Sequence, residues 1–528
     1  MSVAAAPEYP EEIDRAVLKV AGVVVLGAIM SILDITVVNV ALPTFQKTFA
    51  SGGQPVEYST VAWTVTAYTL ALATVIPLSG WAADRFGTKR LYMLAILLFT
   101  AGSALCASAS SIQMLISFRV LQGLGGGMLM PLGMTILTRA AGPKRMGRLM
   151  AILGVPMLLG PILGPIIGGY LIEHASWHWI FLINVPIGVI ALIYAFFVLE
   201  NDNPTPSESF DFVGMLMMSP GLALFLYGIS SIPSDGVGSA KVLIPAAIGV
   251  VLIVSFVFWA FKPKHPLLDL RLFKNKLLSL SVITMFLFVA AFFGGLLLVP
   301  TYFQEVRGES TFMAGLLVAA QGIGAMCTMP IGGMLADKMP IGRIVPFGLV
   351  LIIVGMFALT RITSTTSYWY ILPVLFVMGL GMGGTMMPIM TSALKTLKHH
   401  DIARGTTLLN IVQQIGSSVG VAIMSTVLTD HLKSSSAASM AQRIGQLDPK
   451  VPSQAAELQK LMAQAGKQFG TGFEALAKSD AARAFADTFW VAAILCLLTV
   501  IPALMLPRKP LPVDETDDEG ETAPIMIH

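Results

Sequence analysis

The sequence predicts an all-α membrane protein whose chain crosses the bilayer many times. Of its 528 residues, 55% are hydrophobic and only 12% are charged, whereas soluble globular proteins carry about 25% charged residues. The apolar residues form runs of about 20, and a helix of that length crosses the hydrocarbon layer of a membrane. Because the alternating pattern of a membrane β-barrel is missing, helices are the structures that satisfy the backbone in lipid.

Fourteen spans are predicted, numbered 1 to 14 in chain order. They lie at residues 17–43, 60–83, 90–108, 112–138, 148–172, 179–199, 212–232, 242–261, 277–303, 312–335, 344–363, 369–393, 404–430 and 485–506. The loops after even-numbered spans hold most of the Lys and Arg residues, which predicts a cytoplasmic location for both termini. The acidic segment 1–16 does not resemble the basic start of a signal peptide, so we expect span 1 to be retained.

Two parts of the chain repeat each other. One set of residues recurs after 253 positions: Gly80, Asp84 and Arg90 become Gly333, Asp337 and Arg343. A second set recurs after 256 positions: Arg148, Gly160 and Gly164 become Arg404, Gly416 and Gly420. This register predicts two six-helix bundles, residues 17–199 (spans 1–6) and 277–506 (spans 9–14). Segment 200–276 then inserts spans 7 and 8 between them.

Two polar segments lie outside the spans. Residues 431–484 form a long loop on the outer side. Its stretch 455–469 has helical spacing and good helix formers, which is typical of a helical hairpin, although a solvated spacer fits equally well. The acidic tail 507–528 is expected to be cytoplasmic and disordered.

Opposite charges occur at similar depths in two spans of the first half. Asp34 lies roughly 12 Å below the outer end of span 1, and Arg119 lies roughly 10 Å below the outer end of span 4, at 1.5 Å per residue. The repeat equivalent of Arg119 falls at Leu375 or Phe376, so the second half lacks such a pair. Charge inside a membrane is costly and usually functional.

Proton coupling is the functional interpretation of Asp34 and Arg119. Burial disfavours the charged form of a carboxyl group and a guanidinium favours it, so a change in their separation would switch the protonation of Asp34. Arg119 keeps its proton throughout this range, which makes Asp34 the group that titrates. The alternative is a buried ion pair that only fixes helix packing.

The inner end of span 2 carries the segment GWAADRFGTKR, residues 80–90. Its glycine permits close helix approach, its aspartate closes a helix end, and its basic residues face the cytoplasm. Together with its repeat, it predicts charge latches between moving halves. We therefore predict a cytoplasmic gate formed by Gly80, Asp84, Arg85, Gly87, Arg90, Asp337 and Arg343.

Span 5 interleaves glycine with proline. Glycines four residues apart allow two helices to pack closely, and prolines remove backbone donors and bend the helix. The residues concerned are Gly154, Gly160, Pro161, Gly164, Pro165 and Gly168.

A substrate cavity is expected to combine aromatic and methionine side chains, which adapt to varied apolar molecules, with polar groups that need an internal partner. The candidates are Asn39, Trp63, Tyr68, Gln122, Phe292, Gln321, Met386, Asn410 and Gln413. Most Met and Phe residues of such a protein face lipid or other helices instead.

The segments GWAADRFGTKR, RVLQGLGGG and GPILGPIIGG resemble motifs of the major facilitator superfamily. LDITVVNVALP, WHWIFLINVPIG (177–188) and the fourteen spans resemble its subfamily of drug:proton antiporters. The resemblance implies a bacterial cytoplasmic membrane, alternating access and proton influx that drives drug efflux. It also implies that Asp34 is the proton-linked acid, Arg119 its cationic companion, and span 5 the antiport helix. One departure is Pro340, which stands where the first copy of the gate has Gly87.

The leading hypothesis is therefore an exporter of lipophilic drugs or natural products in exchange for protons. Its partners would be a small lipophilic substrate, protons and the lipid bilayer, with no nucleic acid. Span 10 carries Gln321 and no carboxylate, which favours neutral or singly charged compounds. The rival on the same fold is an exporter of a lipid or glycolipid that uses loop 431–484 to reach an outer acceptor.

An enzyme is disfavoured because the seven histidines are scattered and form no catalytic or metal cluster. The phosphate-binding Gly-Lys-Ser/Thr motif of ATP-driven pumps is missing. We therefore expect no cofactor and no metal, with the proton gradient as the energy source.

Overall fold

The computed structural model describes residues 15–50, 56, 58–141, 154, 160, 163–164, 166–201, 210–395, 397, 401–445 and 452–508. Every regular element in these residues is helical. Within the described residues, thirteen helices are long and apolar enough to cross a membrane, and they match thirteen of the predicted spans. Most of span 5 lies outside the described residues, as do segments 1–14 and 509–528.

The first half contains five described spans. Spans 1 to 4 are the helices Arg15–Thr48, Tyr58–Phe86, Thr88–Ala107 and Ile112–Ala141, and span 6 consists of Trp179–Leu182 and Asn184–Val198. Span 4 packs against spans 1, 2 and 3. Its side chains are accordingly the most buried of this half.

The second half repeats this arrangement. Spans 9, 10, 11 and 13 are Lys276–Glu305, Thr311–Lys338, Ile341–Leu359 and Ile402–Ser434, and span 12 is divided into Tyr368–Gly383 and Met386–Lys395. Span 14 is Phe473–Leu504. The helix that contains span 14 therefore begins about three turns before the predicted start of the span at residue 485, because the polar stretch before it consists of good helix formers.

Glycine contacts demonstrate the internal repeat in three dimensions. Gly125 of span 4 lies against the backbone of Phe99 in span 3, and Gly381 of span 12 lies against the backbone of Ile352 in span 11. A Cβ atom at either glycine would come within 3.0 Å of these backbones. Spans 3 and 4 of the first half and the equivalent spans 11 and 12 of the second half thus both approach each other closely.

The same equivalence holds for the pairs formed by spans 1 and 5 and by spans 9 and 13. Gly164 lies against Thr36, and Gly420 lies against Ala290. The two contacts relate span 1 to span 9 by an offset of 254 residues.

The inserted spans 7 and 8, Phe212–Ser230 and Ala240–Trp259, form a helical pair beside the junction of the two halves. Span 7 contacts span 2 of the first half and span 13 of the second. Asp211 fixes its start, since this carboxylate accepts hydrogen bonds from Gly214 N at 2.8 Å and Trp259 Nε1 at 2.9 Å. The pair therefore covers one side of the junction.

Loop 431–484 contains the helices Ser436–Gly445 and Pro452–Phe469. The expected helical hairpin, rather than a bare spacer, is thus confirmed for the described residues. The first helix packs on the extended beginning of span 14, where Ser435 Oγ donates to Asp480 Oδ2 at 2.7 Å.

Candidate functional site: a buried ion pair

Asp34 and Arg119 form an ion pair in the interior of the first half. Arg119 Nη1 of span 4 donates to Asp34 Oδ2 of span 1, and both side chains are 0% exposed. The ion pair is therefore surrounded by protein atoms and not by water. Such a pair is stable only where further hydrogen bonds satisfy both partners.

The guanidinium group of Arg119 is held on three sides. Its Nη1 also donates to Gln122 Oε1 at 2.8 Å, and its Nε donates to the carbonyl oxygen of Thr64 at 2.9 Å. The ring of Tyr68 lies 4.1 Å from the guanidinium carbon, a distance at which the negative face of an aromatic ring attracts a cation. Arg119 thus keeps several partners besides Asp34.

The second carboxylate oxygen of Asp34 faces two amides. Gln122 Nε2 donates to Asp34 Oδ1 at 2.7 Å, and Asn184 Nδ2 of span 6 donates to it at 3.4 Å. Both amide nitrogens also donate to Ser103 Oγ of span 3, at 2.6 and 3.1 Å respectively. Side chains from spans 1, 3, 4 and 6 therefore meet at one carboxylate, in what we call the Asp34 network.

Sequence reasoning identified the two charges of this network but not all of its neutral members. Gln122, expected at the cavity, belongs to the network, and Tyr68, also expected there, packs on the guanidinium group of Arg119; both are 0% exposed. Ser103 and Asn184 were not predicted. A signal did exist for Asn184, because it is the single polar residue in the run FLINVPIG.

Close helix approach brings the network together. A Cβ atom on Gly102 of span 3 would lie 2.7 Å from Gln122 Cα, and one on Gly123 of span 4 would lie 2.6 Å from the carbonyl oxygen of Tyr68. No side chain fits at either position without a backbone shift. The glycines thereby let Ser103 and Tyr68 reach the ion pair.

The predicted gate contains a contact that the sequence did not indicate. Arg139 Nη2, at the end of span 4, donates to Asp84 Oδ1 at 3.1 Å, which joins spans 2 and 4. We call this end of the bundle the basic end. The side chains of Arg85, Arg90 and Arg343 are exposed there, and the side chain of Asp337 lies outside the described residues.

The departure at Pro340 has a physical reason. Gly87 joins spans 2 and 3 with φ of 86°, a conformation open to glycine and closed to proline. Pro340 joins spans 10 and 11 with φ of −61°. The two copies of the turn therefore use different backbone paths.

The described glycines of span 5 pack closely, as predicted. A Cβ atom would lie 2.0 Å from Ile32 at Gly160 and 3.1 Å from Val37 at Gly168, both on span 1. Gly154 instead faces Met329 and Met387 of the second half. Pro161 and Pro165 lie outside the described residues.

The other cavity candidates lie in different surroundings. Asn39 and Trp63 are exposed, and Trp63 stacks on Tyr227 of span 7 at 5.6 Å. Three others are buried within the second half: Phe292, Gln321 and Met386. Gln413 is half-buried, and Asn410 lies at the junction of the halves.

Comparison with known proteins decides the family. Residues 24–421 match the Major Facilitator Superfamily, which covers most of the chain, including spans 2 to 12. The chain belongs to the major facilitator superfamily. It is therefore a multi-pass membrane transporter rather than an enzyme.

Several curated relatives within the superfamily are similar over most of their length. The chain is 45% identical over 506 residues to the multidrug resistance protein B homolog of Mycobacterium tuberculosis, covering 95% of this chain and 92% of that protein. It is 31% identical over 412 residues to the putative multidrug resistance protein MdtD of Escherichia coli, covering 77% and 85% respectively.

Solved structures of the superfamily share the fold. The human organic anion transporter MFSD10 matches with a TM-score of 0.58 at 15% identity, covering 91% of this chain and 99% of that one. The proton:xylose symporter XylE matches with a TM-score of 0.54 at 14% identity, covering 90% and 94%. The expected two-bundle architecture is confirmed.

Hydroxyl side chains of the two halves contact each other at the basic end of this transporter. Thr135 Oγ1 of span 4 lies 2.8 Å from Thr406 Oγ1 of span 13, and Ser79 Oγ of span 2 lies 3.2 Å from Thr407 Oγ1. A Cβ atom on Gly80 would lie 2.9 Å from Thr407 Oγ1. We call these four residues, Ser79, Thr135, Thr406 and Thr407, the hydroxyl seam.

Each hydroxyl of the seam also contacts a carbonyl oxygen of its own helix. The distances are 2.6 Å from Ser79 to Ile76 O, 2.9 Å from Thr135 to Pro131 O, and 2.9 Å from both Thr406 and Thr407 to Ala403 O. Every member therefore has an acceptor within its own half.

Proposed function

We propose that the chain exports lipophilic drugs or natural products in exchange for protons, by alternating access of its two halves. The observation that carries the proposal is the Asp34 network, a fully buried ion pair whose equivalent positions in the second half hold apolar side chains. Buried ionisable groups within a membrane are rare and typically mark ion or proton pathways.

The proposed coupling begins at Asp34. A proton that enters its carboxyl group cancels the attraction for Arg119, which retains contacts with Thr64, Gln122 and Tyr68. Span 4 carries Arg119 as well as Thr135 of the hydroxyl seam, about 24 Å further along the helix at 1.5 Å per residue. A shift of span 4 upon protonation would therefore act directly on the contact between the halves.

The names of the relatives support a drug as the substrate. Both the mycobacterial and the Escherichia relatives are named multidrug resistance proteins. Gln321, in place of a carboxylate in span 10, favours neutral or singly charged compounds over divalent cations.

Inverted membrane vesicles test this function. The vesicles would be energised and offered a panel of neutral, cationic and lipidic compounds while internal pH is recorded. We expect uptake of lipophilic compounds accompanied by proton release, and both should be abolished by an uncoupler. Uptake that leaves the proton gradient unchanged for every compound would contradict the proposal.

Asp34→Asn separates coupling from folding. The amide keeps an acceptor oxygen for Arg119 but cannot titrate, so we expect the variant to fold and to lose uphill transport. Downhill exchange of substrate across the same vesicles should persist, which provides an internal control. Uphill transport by this variant at the wild-type rate would refute the role of Asp34.

Export of a lipid or glycolipid is the second candidate function. It is supported by loop 431–484, which contains helices and exposes Met462 and Leu476. Deletion of residues 440–475 distinguishes the two functions. Drug uptake should survive the deletion, whereas delivery of a lipid to an outer acceptor should fail.

A further inference from the structure

We propose that Asn184 is a positioning residue that directs the proton to Oδ2 of Asp34, the oxygen that faces Arg119. The inference rests on the proposed proton coupling and adds a residue and an atom to it. Asn184 lies in span 6 and is 1% exposed, so it is shielded from solvent.

Hydrogen-bond chemistry fixes the orientation of the neighbouring amide. An arginine can only donate, so the atom of Gln122 that lies 2.8 Å from Arg119 Nη1 is its oxygen. The nitrogen of Gln122 must then face Asp34 Oδ1 and Ser103 Oγ. Asn184 Nδ2 faces the same two atoms.

Each of these amide nitrogens carries two hydrogens, one for Asp34 Oδ1 and one for Ser103 Oγ. Oδ1 is thus surrounded by donors, and Ser103 Oγ already accepts twice. Both carboxylate oxygens face donors only, so the number of displaced contacts distinguishes them. A proton placed on Oδ1 would displace both amides. Oδ2, in contrast, has Arg119 as its partner in the network.

Protonation at Oδ2 therefore breaks a single contact. The new O–H bond forms on Oδ2, the hydrogen bond from Arg119 Nη1 to Oδ2 is lost, and Arg119 keeps its charge. The net charge of the pair changes from zero to +1, while Gln122 and Asn184 hold the carboxyl group in place. The proton thereby separates Asp34 from Arg119 without dispersing the rest of the network.

Few other titratable groups face Asp34. In the described part of the first half they are Tyr68 of span 2, Cys106 of span 3 and Arg119 of span 4. Span 5 carries no titratable residue from 149 to 169. Cys106 Sγ lies 3.5 Å from Gln122 Oε1, and the Tyr68 hydroxyl lies 3.3 Å from Ser31 Oγ, so the two amides remain the direct neutral partners of the carboxylate.

Loss of the Asn184 amide should make Asp34 easier to protonate, because one donor to the charged form disappears. We expect Asn184→Leu, of similar size, and the smaller Asn184→Ala to raise the pH of half-protonation by about one unit, as for a hydrogen bond to a charged group. The control is Gln113→Leu, which removes an exposed amide from span 4 of the same half and should leave that pH unchanged.

The measurement is an infrared pH titration of the purified full-length protein in lipid, following the protonated-carboxyl band that Asp34→Asn removes. The pH of half-maximal vesicle transport is read in parallel and should shift in the same direction. A midpoint that is unchanged or lower in both Asn184 variants overturns the inference. If the wild-type band titrates but transport ignores the proton gradient, the proposed function fails instead.

Discussion

The two halves of the molecule share helix contacts but differ in the chemistry at equivalent positions. An offset of 254 residues places Phe288 at the position of Asp34, and an offset of 256 places Leu375 at the position of Arg119, both with 0% exposure. The glycine contacts thus resolve the two sequence alternatives in favour of Leu375. The second half fills these positions with apolar side chains.

This difference bears on the interpretation of the ion pair as mere packing. An apolar pair satisfies the same helix arrangement in the second half, and apolar replacements of buried ion pairs are often neutral or stabilising. The fold therefore does not require charge at this place. This contrast supports the proposed role of the ion pair in transport.

A disulfide between the halves should have the largest effect. In a Cys327→Ser background, which removes the exposed native cysteine, Thr135→Cys with Thr406→Cys should form a disulfide on mild oxidation and abolish transport. The hydroxyls they replace lie 2.8 Å apart, so little movement is required. Reduction should restore transport.

The matched control for this disulfide lies within one half. Ser281 Oγ of span 9 and Ser392 Oγ of span 12 are 3.3 Å apart, and both residues belong to the second half. Their cysteine pair should form a disulfide equally well and leave transport intact. Full transport by the oxidised Thr135–Thr406 pair would show that this seam does not open.

The second-largest effect is expected when the charges of Asp34 and Arg119 are removed one at a time, and it concerns the stability of the protein. Removing one partner of a buried pair costs about 3–5 kcal/mol, whereas removing both with apolar residues costs far less. We expect Asp34→Leu and Arg119→Leu each to destabilise the protein, and the double variant, which imitates the second half, to regain most of the loss. Thermal unfolding in detergent measures this.

The two single variants should differ in their response to pH. Arg119→Leu leaves a carboxyl group that can take up a proton, so its stability should rise as pH falls. Asp34→Leu leaves an arginine that stays charged, so acid should bring no recovery. Identical pH responses of the two variants would contradict the assigned charges.

Substitutions of equivalent glycines in the two halves should differ in their effect on stability, but by a smaller amount. A Cβ atom on Gly102 would lie 2.7 Å from Gln122 Cα, whereas one on Gly355 would lie 2.1 Å from the Cγ atom of the Met378 side chain. A side chain can change rotamer more easily than a backbone can move. Gly102→Ala should therefore cost about 2 kcal/mol and Gly355→Ala about 1 kcal/mol, again measured by thermal unfolding.

Much of the fold follows from the sequence because hydrophobic length and internal repetition are properties of the chain itself. The spans, the repeat and the pairing of Asp34 with Arg119 required only residue spacing. The point at which the helix of span 14 begins could not be predicted in this way. The polar residues before 485 continue the helix although they lie beyond the apolar run.

Side-chain convergence is harder to predict. Asn184 of span 6 donates to Asp34 of span 1 across 150 residues of sequence, a contact that no local pattern encodes. Arg139 was missed for a related reason. Its partner Asp84 lies 55 residues earlier in the chain, so the motif around Asp84 gives no indication of it.

The hydroxyl seam has an energetic consequence. Because each of its hydroxyls already lies beside a carbonyl oxygen of its own helix, these four hydroxyls keep an acceptor when the halves separate. Leaving a buried polar group unpaired costs about 1–3 kcal/mol, and the seam hydroxyls avoid that cost. A contact of this kind can part and re-form without leaving its hydroxyls unpaired, as the proposed alternating access requires.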